Sequence, residues 1–245
     1  MKLLIRIFIT LTFLTPNLIS FSQSGLMVRS NGTLTVNGNL TITAVWACGN
    51  PFIDSRDGKS YGTVLIGTQC WFAQNLNVGT KIISSADQSN NSNIEKYCYN
   101  EDENNCTIYG GLYQWDEAMQ YSSSQGVQGI CPAGWHLPTD AQWTIMTTFL
   151  GGESVAGGKM KEAGSVHWSV PNAGATNTSG FNALPAGYRY SDGYLYDLGN
   201  VSIYWTSSPS ISTLSWGRGL RFDTENAIRS DFGKAGGFSV RCLKD

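Results

Sequence analysis

One short stretch holds the residues with the most reactive chemistry. In GICPAGWHLPTDAQW, residues 129–143, Cys131 stands five positions before His136, one of only two histidines in the chain. A thiolate beside a histidine is the arrangement of a cysteine nucleophile, which also needs a third group to orient the base. The alternative is a packed corner, where Pro138 restricts the backbone before it and Trp135 enters the core. Because an exported chain with six cysteines leaves little reason for a free thiol, we expect the corner.

Other catalytic patterns have less support. A serine hydrolase would have to use His136 or His167 as its base, and neither lies near a GxSxG nucleophile elbow. Asp116 and Glu117 could supply paired carboxylates, but they most simply occupy a solvated helix face. We therefore expect a protein that is not an enzyme.

An acidic loop offers a calcium pattern. Asn100, Asp102 and Asn104 alternate as they do at the start of an EF-hand loop. Asn105 replaces the turn glycine, however, and Gly111 stands where a bidentate glutamate is required. The EF-hand match fails, and a solvated disulfide loop is favoured over a different kind of calcium site. No other cofactor is expected.

The six cysteines stand at positions 48, 70, 98, 106, 131 and 242. An even number in an exported chain predicts three disulfides, with fifteen possible connectivities. No pair has CxxC spacing and histidines are few, which argues against a zinc site. Short separations favour Cys98–Cys106 and Cys48–Cys70, and these two pairs would leave Cys131–Cys242.

The beginning of the chain predicts export. Basic residues flank the start of an apolar run, Leu3–Leu18, and the small residues Ser20 and Ser22 suit a cleavage site. This order predicts a signal peptide over residues 1–22. The run is too short and too broken to be a stable membrane span. We expect a secreted or otherwise extracytoplasmic protein with no membrane span after cleavage.

The charge argues against nucleic acid as a partner. The chain has 16 basic and 18 acidic residues. Cleavage would remove Lys2 and Arg6, leaving 14 basic against 18 acidic residues and a net charge near −4. Such a balance does not attract nucleic acid or an anionic membrane. It leaves the oligomeric state open.

Residues 23–47 differ from the rest of the chain. Asn31-Gly32 and Asn37-Gly38 separate short alternating runs, Leu34–Val36 and Leu40–Thr43. Asn-Gly between alternating residues is typical of strands joined by tight turns. We expect a short β-rich arm before a main domain of residues 48–245.

Helices are predicted in the middle of the main domain. Leu112, Trp115 and Met119 have helical spacing. A second helix has clearer limits, because Thr139 and Gln142 form a capping box and Gly151-Gly152 ends the apolar face. A short third helix is expected over residues 156–163, weakened by its glycines.

Strands surround these helices. They are expected at residues 61–67, 194–196, 203–207, 216–222 and 238–242, with a long polar loop over residues 169–182. Strands and helices followed by a loop and antiparallel strands indicate an α+β domain.

A series of motifs identifies a resemblance. In order, the chain contains DSRDGKSYGTVLIGTQCWFAQNLN, YCYNEDENNCTIYGGLYQWDEAM, GICPAGWHLPTDAQW, GFNALPAGYR, YWTSS and GFSVRCLKD. Together they resemble the Fibrobacter succinogenes major paralogous domain, a family of exported bacterial proteins, over about residues 48–245. That family is distantly similar to the C-type-lectin-like fold shared with formylglycine-generating enzymes.

The resemblance implies a fold more than an activity. It implies a disulfide-stapled α+β domain with a small twisted antiparallel sheet, two main helices and long loops. A Cys131–Cys242 bond would resemble the long disulfide of C-type-lectin-like domains. The EPN, QPD and WND sugar motifs of true lectins are absent, and Cys242 alone follows Cys131, which does not suit formylglycine chemistry.

The remaining candidate is a recognition surface in residues 169–235. Aromatic, arginine and asparagine side chains on loops are typical of carbohydrate or protein recognition. The expected ligand-binding residues are Asn172, Asn177, Arg189, Tyr190, Arg218 and Asp223. We expect a non-catalytic binding module for a polysaccharide or a surface protein. The alternative is a structural component of a surface or matrix assembly, and a formylglycine-generating-like enzyme is less favoured.

Overall fold

The structure is a computed structural model that describes residues 46–245 and the backbone of residues 19–21 and 42–44. Its contacts divide the chain into two units, Met1–Asn50 and Pro51–Asp245. In the first unit, β1 (Ile19–Phe21) pairs antiparallel with β2 (Ile42–Ala44). The rest of the predicted signal peptide and most of the predicted arm lie outside the described residues, and both stay predictions.

The second unit contains fifteen short strands and four α-helices. Its strands are β3 (Phe52–Ile53), β4 (Ser60–Tyr61), β5 (Thr63–Ile66), β6 (Gln69–Phe72), β7 (Thr80–Lys81), β8 (Glu95–Lys96), β9 (Tyr113–Gln114), β10 (Trp135–His136), β11 (Ala186–Arg189), β12 (Leu195–Leu198), β13 (Val201–Ile211), β14 (Leu214–Arg221), β15 (Ile228–Gly233), β16 (Gly237–Phe238) and β17 (Leu243–Lys244). Its helices are α1 (Glu103–Tyr109), α2 (Trp115–Ala118), α3 (Asp140–Phe149) and α4 (Glu153–Met160), with a 3₁₀ turn at Tyr99–Glu101. The mixture agrees with the expected α+β class.

A seven-stranded sheet forms the larger layer. Its order is β15-β14-β13-β11-β16-β9, and β12 also pairs with β11. The long β13–β14 hairpin is antiparallel, whereas β11 and β13 pair parallel at Gly187 and Ser202. The sheet is therefore larger than the small antiparallel sheet that was expected, and it is mixed.

A second sheet brings the Trp135–His136 corner to the last strand. Its order is β10-β17-β6-β5. Trp135 lies opposite Lys244 in antiparallel register, and Leu243 lies opposite Trp71. The corner is thus held as a strand of this sheet.

Large aromatic rings fill the core between the elements. Trp71, Trp143, Phe181 and Tyr204 are fully buried. The ring centroids of Trp71 and Trp143 are 4.9 Å apart, and those of Trp143 and Tyr204 are 5.4 Å apart. Such pairs contribute about 0.5–1.5 kcal/mol each beyond the burial of their area. The low charge and high aromatic content of the chain are thus explained by its core.

The best-marked helix forms as predicted. Thr139 and Gln142 make a full capping box at the start of α3, and the helix ends before Gly151. Trp143 and Met146 are fully buried on its inner face. In the part of the chain that the structure describes, no helix has the length and apolar character needed to cross a membrane.

The helix predicted from Leu112 to Met119 is wrong over its first half. Tyr113 and Gln114 form β9, which pairs with Phe238 and Gly237, and α2 is a single turn after it. Sheet pairing overrides the helical spacing of the apolar residues here. Glu117 was also misplaced on a solvated face, since its side chain is 1% exposed. Burial raises the pKa of this carboxyl, which accepts hydrogen bonds from Glu95 N and Tyr121 Oη.

Helix α4 approaches two neighbouring loops through its glycines. A Cβ at Gly157 would lie 2.2 Å from the carbonyl oxygen of Asn226, and one at Gly158 would lie 2.4 Å from that of Gly174. The hydrogen bond from Gly158 N to Glu225 O, 2.9 Å, fixes this contact. The glycines that weaken the helix in isolation are the residues that allow its packing.

The disulfides join both local and distant segments. Cys98 bonds Cys106, eight residues away, and Cys131 bonds Cys242, 111 residues away. Both pairs agree with the sequence-based expectation. Cys48 and Cys70 are also disulfide-bonded, which is the state that their predicted pairing requires.

A buried lysine is held by backbone oxygens. The Lys161 side chain is fully buried, and its Nζ donates to the carbonyls of Ala173, Arg221 and Thr224 at 2.8–2.9 Å. Burial lowers the pKa of this ammonium to about 8, against the attraction of Asp223 and Glu225. The charge is retained at neutral pH at a cost in stability.

The two disulfides of known pairing should differ in their contribution to stability. The loop model gives about 5 kcal/mol for the Cys131–Cys242 loop and about 2.5 kcal/mol for the Cys98–Cys106 loop. Replacing each pair by two serines should therefore destabilise the Cys131/Cys242 variant about 2 kcal/mol more, as measured by urea unfolding. An equal or larger loss in the Cys98/Cys106 variant would contradict this ranking.

The stability contribution of Lys161 should depend on pH. Its pKa is 10.5 when exposed and about 8 in the folded protein. Between these values the unfolded chain binds the extra proton, so stability rises with pH. From pH 7.5 to 9.5, the wild type should gain about 1–2 kcal/mol relative to Lys161→Met in urea unfolding. Lys159→Met, which removes a single contact to Leu150 O, is the control. A pH-independent difference for Lys161→Met would refute the assignment.

Candidate functional site

The corner around Cys131 and His136 is structural. Cys131 is bonded to Cys242, so its sulfur is not a nucleophile. The Oε1 atom of Gln142 accepts from Thr139 N, which fixes its amide so that Nε2 donates to His136 Nε2 at 2.9 Å. His136 Nδ1 then donates to Asp245 Oδ1 at 2.7 Å. One ring nitrogen thus holds the corner to α3, and the other holds it to the C-terminal residue.

Arg189, expected as an exposed recognition residue, is buried. Its side chain is 2% exposed because β11 is an interior strand of the large sheet. The guanidinium donates to Ser84 O, Ala235 O and Asp87 Oδ1 at 2.6–3.0 Å and stacks on Tyr97. The expectation of an exposed Arg189 is wrong, and the residue joins loops to the sheet.

Arg218 is also internal. It is fully buried, and its Nη1 lies 2.6 Å from Asp140 Oδ1 at the start of α3. Arg229 binds the same carboxylate and stacks on Trp216 at 3.5 Å. Burial opposes ionisation of Asp140, but hydrogen bonds from Arg229 and Arg218 outweigh it and lower the pKa of the carboxyl. The cluster anchors the sheet to α3.

The two predicted asparagines shape loops. Asn172 is 6% exposed, and its Nδ2 donates to the carbonyls of Glu162 and Gly164, at 2.9 and 2.6 Å. Asn177 exchanges two hydrogen bonds with Asn182, at 2.9 and 3.0 Å. The side chain of Asn172 is therefore turned inward, away from the expected surface.

The predicted calcium residues have a structural role in the acidic loop. Asp102 is the N-cap of α1, and its Oδ1 accepts from Asn104 N at 2.9 Å. Asn100 adopts a left-handed backbone with φ 54°. Within the described residues, the one group of side chains close enough to share a metal is Cys98, Glu103 and Cys106, whose sulfurs bond each other. A calcium site on the loop stays a prediction.

An open groove of about 620 Å³ crosses one face of the large sheet. It is lined by residues from β11 to β16 and from the adjoining turns: Tyr188, Tyr190, Ser191, Asp197, Val201, Ile203, Leu214, Gly219, Arg221, Ile228, Ser230, Phe232, Gly233, Gly236 and Phe238. Tyr190 is the predicted ligand-binding residue that lines it. Its volume lies within the range of ligand sites.

Aromatic rings form much of the groove wall. Phe238 contacts Phe232 and Tyr188, with ring centroids 5.2 and 6.2 Å apart. Tyr190, 57% exposed, continues this surface. Asp197, which also lines the groove, has a positive φ of 61°. The groove thus combines ring faces with a few polar groups.

A charged pair marks one side of the groove. Arg221, which lines it, binds Asp223 through two hydrogen bonds of 3.0 Å. Hydrogen bonding and charge from Arg221 lower the pKa of Asp223. Asp223, a predicted ligand-binding residue, therefore lies next to the groove and holds the Arg221 side chain that lines it.

The β11–β12 hairpin extends the aromatic surface into solvent. Tyr188 and Tyr196 lie 5.8 Å apart, and Tyr190 and Tyr196 lie 6.5 Å apart. Tyr194, at the turn, is 69% exposed and does not line the groove. The hairpin therefore carries tyrosines both inside and outside the groove.

The sequence contained part of the signal for this groove. Ile228, Ser230 and Phe232 alternate with charged residues, which places them on one face of β15. Alternation alone does not distinguish a face covered by other elements from a face left open. The missing information was the position of β15 at the end of the sheet.

The comparisons with known proteins identify a family. The Fibrobacter succinogenes major domain matches residues 64–244, most of the predicted domain of residues 48–245. Neither the curated proteins nor the solved structures gave a match. With this match over more than half of its length, the chain belongs to the Fibrobacter succinogenes major domain family.

Proposed function

We propose that this protein is an exported, non-catalytic binding module that takes a polysaccharide chain in the groove on the large sheet. The observation that carries the proposal is the combination of exposed aromatic rings with polar groups in one open groove. Sugar rings present apolar C–H faces and polar hydroxyls, and an aromatic groove with sparse polar groups can contact both.

The shape and chemistry of the groove favour a chain over a small enclosed molecule. The groove lies open along the sheet, and Tyr190 projects from its rim. Asp197 can accept hydrogen bonds from hydroxyl groups, while Arg221 can donate to ring and hydroxyl oxygens. Tyr196, which packs against the groove residues Tyr188 and Tyr190, offers a continuation for further sugar units.

We also propose that the protein lies outside the cytoplasm and has a C-type-lectin-like fold. Disulfides persist in oxidising compartments, which supports a location outside the cytoplasm. Cys131–Cys242 joins the segment before β10 to the residue before the last strand, β17, which supports likeness to the long disulfide of C-type-lectin-like domains. We propose a secreted or surface-associated protein on these grounds.

Removing one groove tyrosine should weaken polysaccharide binding. We expect Tyr190→Ala to bind the strongest ligand from a glycan array about tenfold more weakly, equivalent to about 1.4 kcal/mol. Isothermal titration calorimetry measures the change. Tyr194→Ala is the matched control, because it removes an exposed tyrosine of the same hairpin outside the groove.

Two outcomes would refute the groove as the site. One is equal loss of affinity in both tyrosine variants, and the other is no glycan binding by the folded protein. Concentration-dependent self-association without glycan binding would favour the alternative of a structural component in a surface assembly.

A further inference from the structure

A second, smaller pocket lies apart from the groove and shares no lining residue with it. Its volume is about 290 Å³. It is lined mainly by polar residues: Lys59, Ser60, Tyr61, Gln74, Asn75, Asn77, Cys106, Thr107, Ile108, Tyr109, Gly110, Asn182, Leu184 and Arg241. This volume suits a ligand about the size of a monosaccharide.

Burial separates the deep lining of the pocket from its rim. Asn75, Asn77 and Arg241 are 6%, 9% and 1% exposed. The side chain of Lys59 is 42% exposed, and Ile108 is 47% exposed. Buried polar side chains at the inner end of a pocket are built into the fold, unlike surface residues that happen to face a depression.

The charge of Arg241 is not neutralised by a protein carboxylate. Its guanidinium donates to Asn75 Oδ1 and to the carbonyls of Phe72, Phe181 and Asn182, at 2.6–3.1 Å. All of these acceptors are neutral, and no ion pair of Arg241 occurs among the described residues. A buried positive charge at a pocket creates a potential that favours an anion.

The other cations near the pocket are already paired. Lys59 Nζ lies 3.2 Å from Asp57 Oδ2, and Lys96 Nζ lies 3.6 Å from Glu103 Oε2. Burial and the charge of Lys59 lower the pKa of Lys96. The paired charges cancel, so the guanidinium of Arg241 leaves the surroundings of the pocket with a net positive charge.

The amides of the pocket present donors. Asn77 Oδ1 accepts from Lys96 Nζ at 2.7 Å, which fixes the amide and leaves Nδ2 without a partner in the described part of the chain. Asn182 N donates to Asn177 Oδ1, so Asn177 Nδ2 donates to Asn182 Oδ1. The Nδ2 group of Asn182 therefore also has no partner in the described part of the chain. A ligand that supplies acceptors would satisfy the Nδ2 groups of both Asn77 and Asn182.

We propose that this pocket binds the acidic group, a carboxylate or a sulfate, of a ligand about the size of a monosaccharide. An oxyanion supplies several acceptors for the Asn77 and Asn182 amides and complements the charge of Arg241, and charge-assisted hydrogen bonds are the stronger kind. A cation would be repelled, and a neutral sugar would leave the charge uncompensated. The site is independent of the polysaccharide groove.

Matched sugars test the proposal. Isothermal titration calorimetry and ligand-observed NMR would compare D-glucuronate, D-glucose 6-sulfate and D-glucose with the full chain. We expect at least one of the two acids to bind about tenfold more tightly than glucose. The acid that binds distinguishes a carboxylate site from a sulfate site. Equal binding of glucose, or no binding of either acid, would overturn the proposal.

Two substitutions locate the bound acid. Asn77→Asp keeps the size of the side chain and the acceptor for Lys96 but replaces the free donor by a negative charge, so we expect a loss of affinity of about tenfold or more. Asn93→Asp, on an exposed loop, is the control for added charge. Lys59→Met leaves the carboxylate of Asp57 unpaired at the rim, so it should also weaken binding of an acid, and it replaces Asn77→Asp as the test if that variant does not fold. Unchanged affinity in the folded pocket variants would refute this site.

Discussion

The fold depends on one buried guanidinium. Arg241 is 1% exposed and donates to Phe72 O, Phe181 O, Asn182 O and the side chain of Asn75. These acceptors lie on two distant segments, residues 72–75 and 181–182, and the planar fork of arginine can serve them at the same time. Burial lowers the pKa of Arg241 to about 10, so the charge and all its donors are retained at neutral pH. The aromatic core packs against this centre, with Phe181 4.2 Å from the guanidinium carbon.

Polar residues that read as surface features in the sequence serve mainly as internal connectors. Arg189, Arg218 and Lys161 each reach backbone oxygens or a carboxylate across the fold. A domain with short strands and long loops has many carbonyl groups that no sheet or helix satisfies, and buried polar groups need partners. Long cationic side chains supply several donors each. These three cations are therefore used inside the domain and not at its surface.

Local features were predictable from the sequence, whereas the strand pairings between distant segments were not. The Cys131–Cys242 bond is the long-range exception, because the two short-range cysteine pairs left these two residues for each other. The α3 capping box depends on residues three apart, and the Cys98–Cys106 bond on residues eight apart, so both were within reach. The helix expected at Leu112 failed because β9 pairs with β16, more than a hundred residues later in the chain. The prediction that Arg189 is exposed was wrong for the same reason, because β11 pairs with strands from distant segments of the chain. Tyr190, predicted as a ligand-binding residue, lines the groove, while the sheet that forms the groove depends on pairings that alternation cannot assign.

The paired glycines of α4 have a consequence for sequence change during evolution. Each glycine costs about 1 kcal/mol of helix propensity relative to alanine, yet any side chain at Gly157 or Gly158 would collide with backbone of a neighbouring segment. A collision with a side chain can be relieved by a second substitution to a smaller residue, but a collision with backbone cannot. Substitution at these two positions is therefore excluded unless the two loops that carry Gly174 and Asn226 change their paths. Relatives that retain this contact are expected to retain Gly-Gly there, in a helix whose composition would otherwise favour alanine.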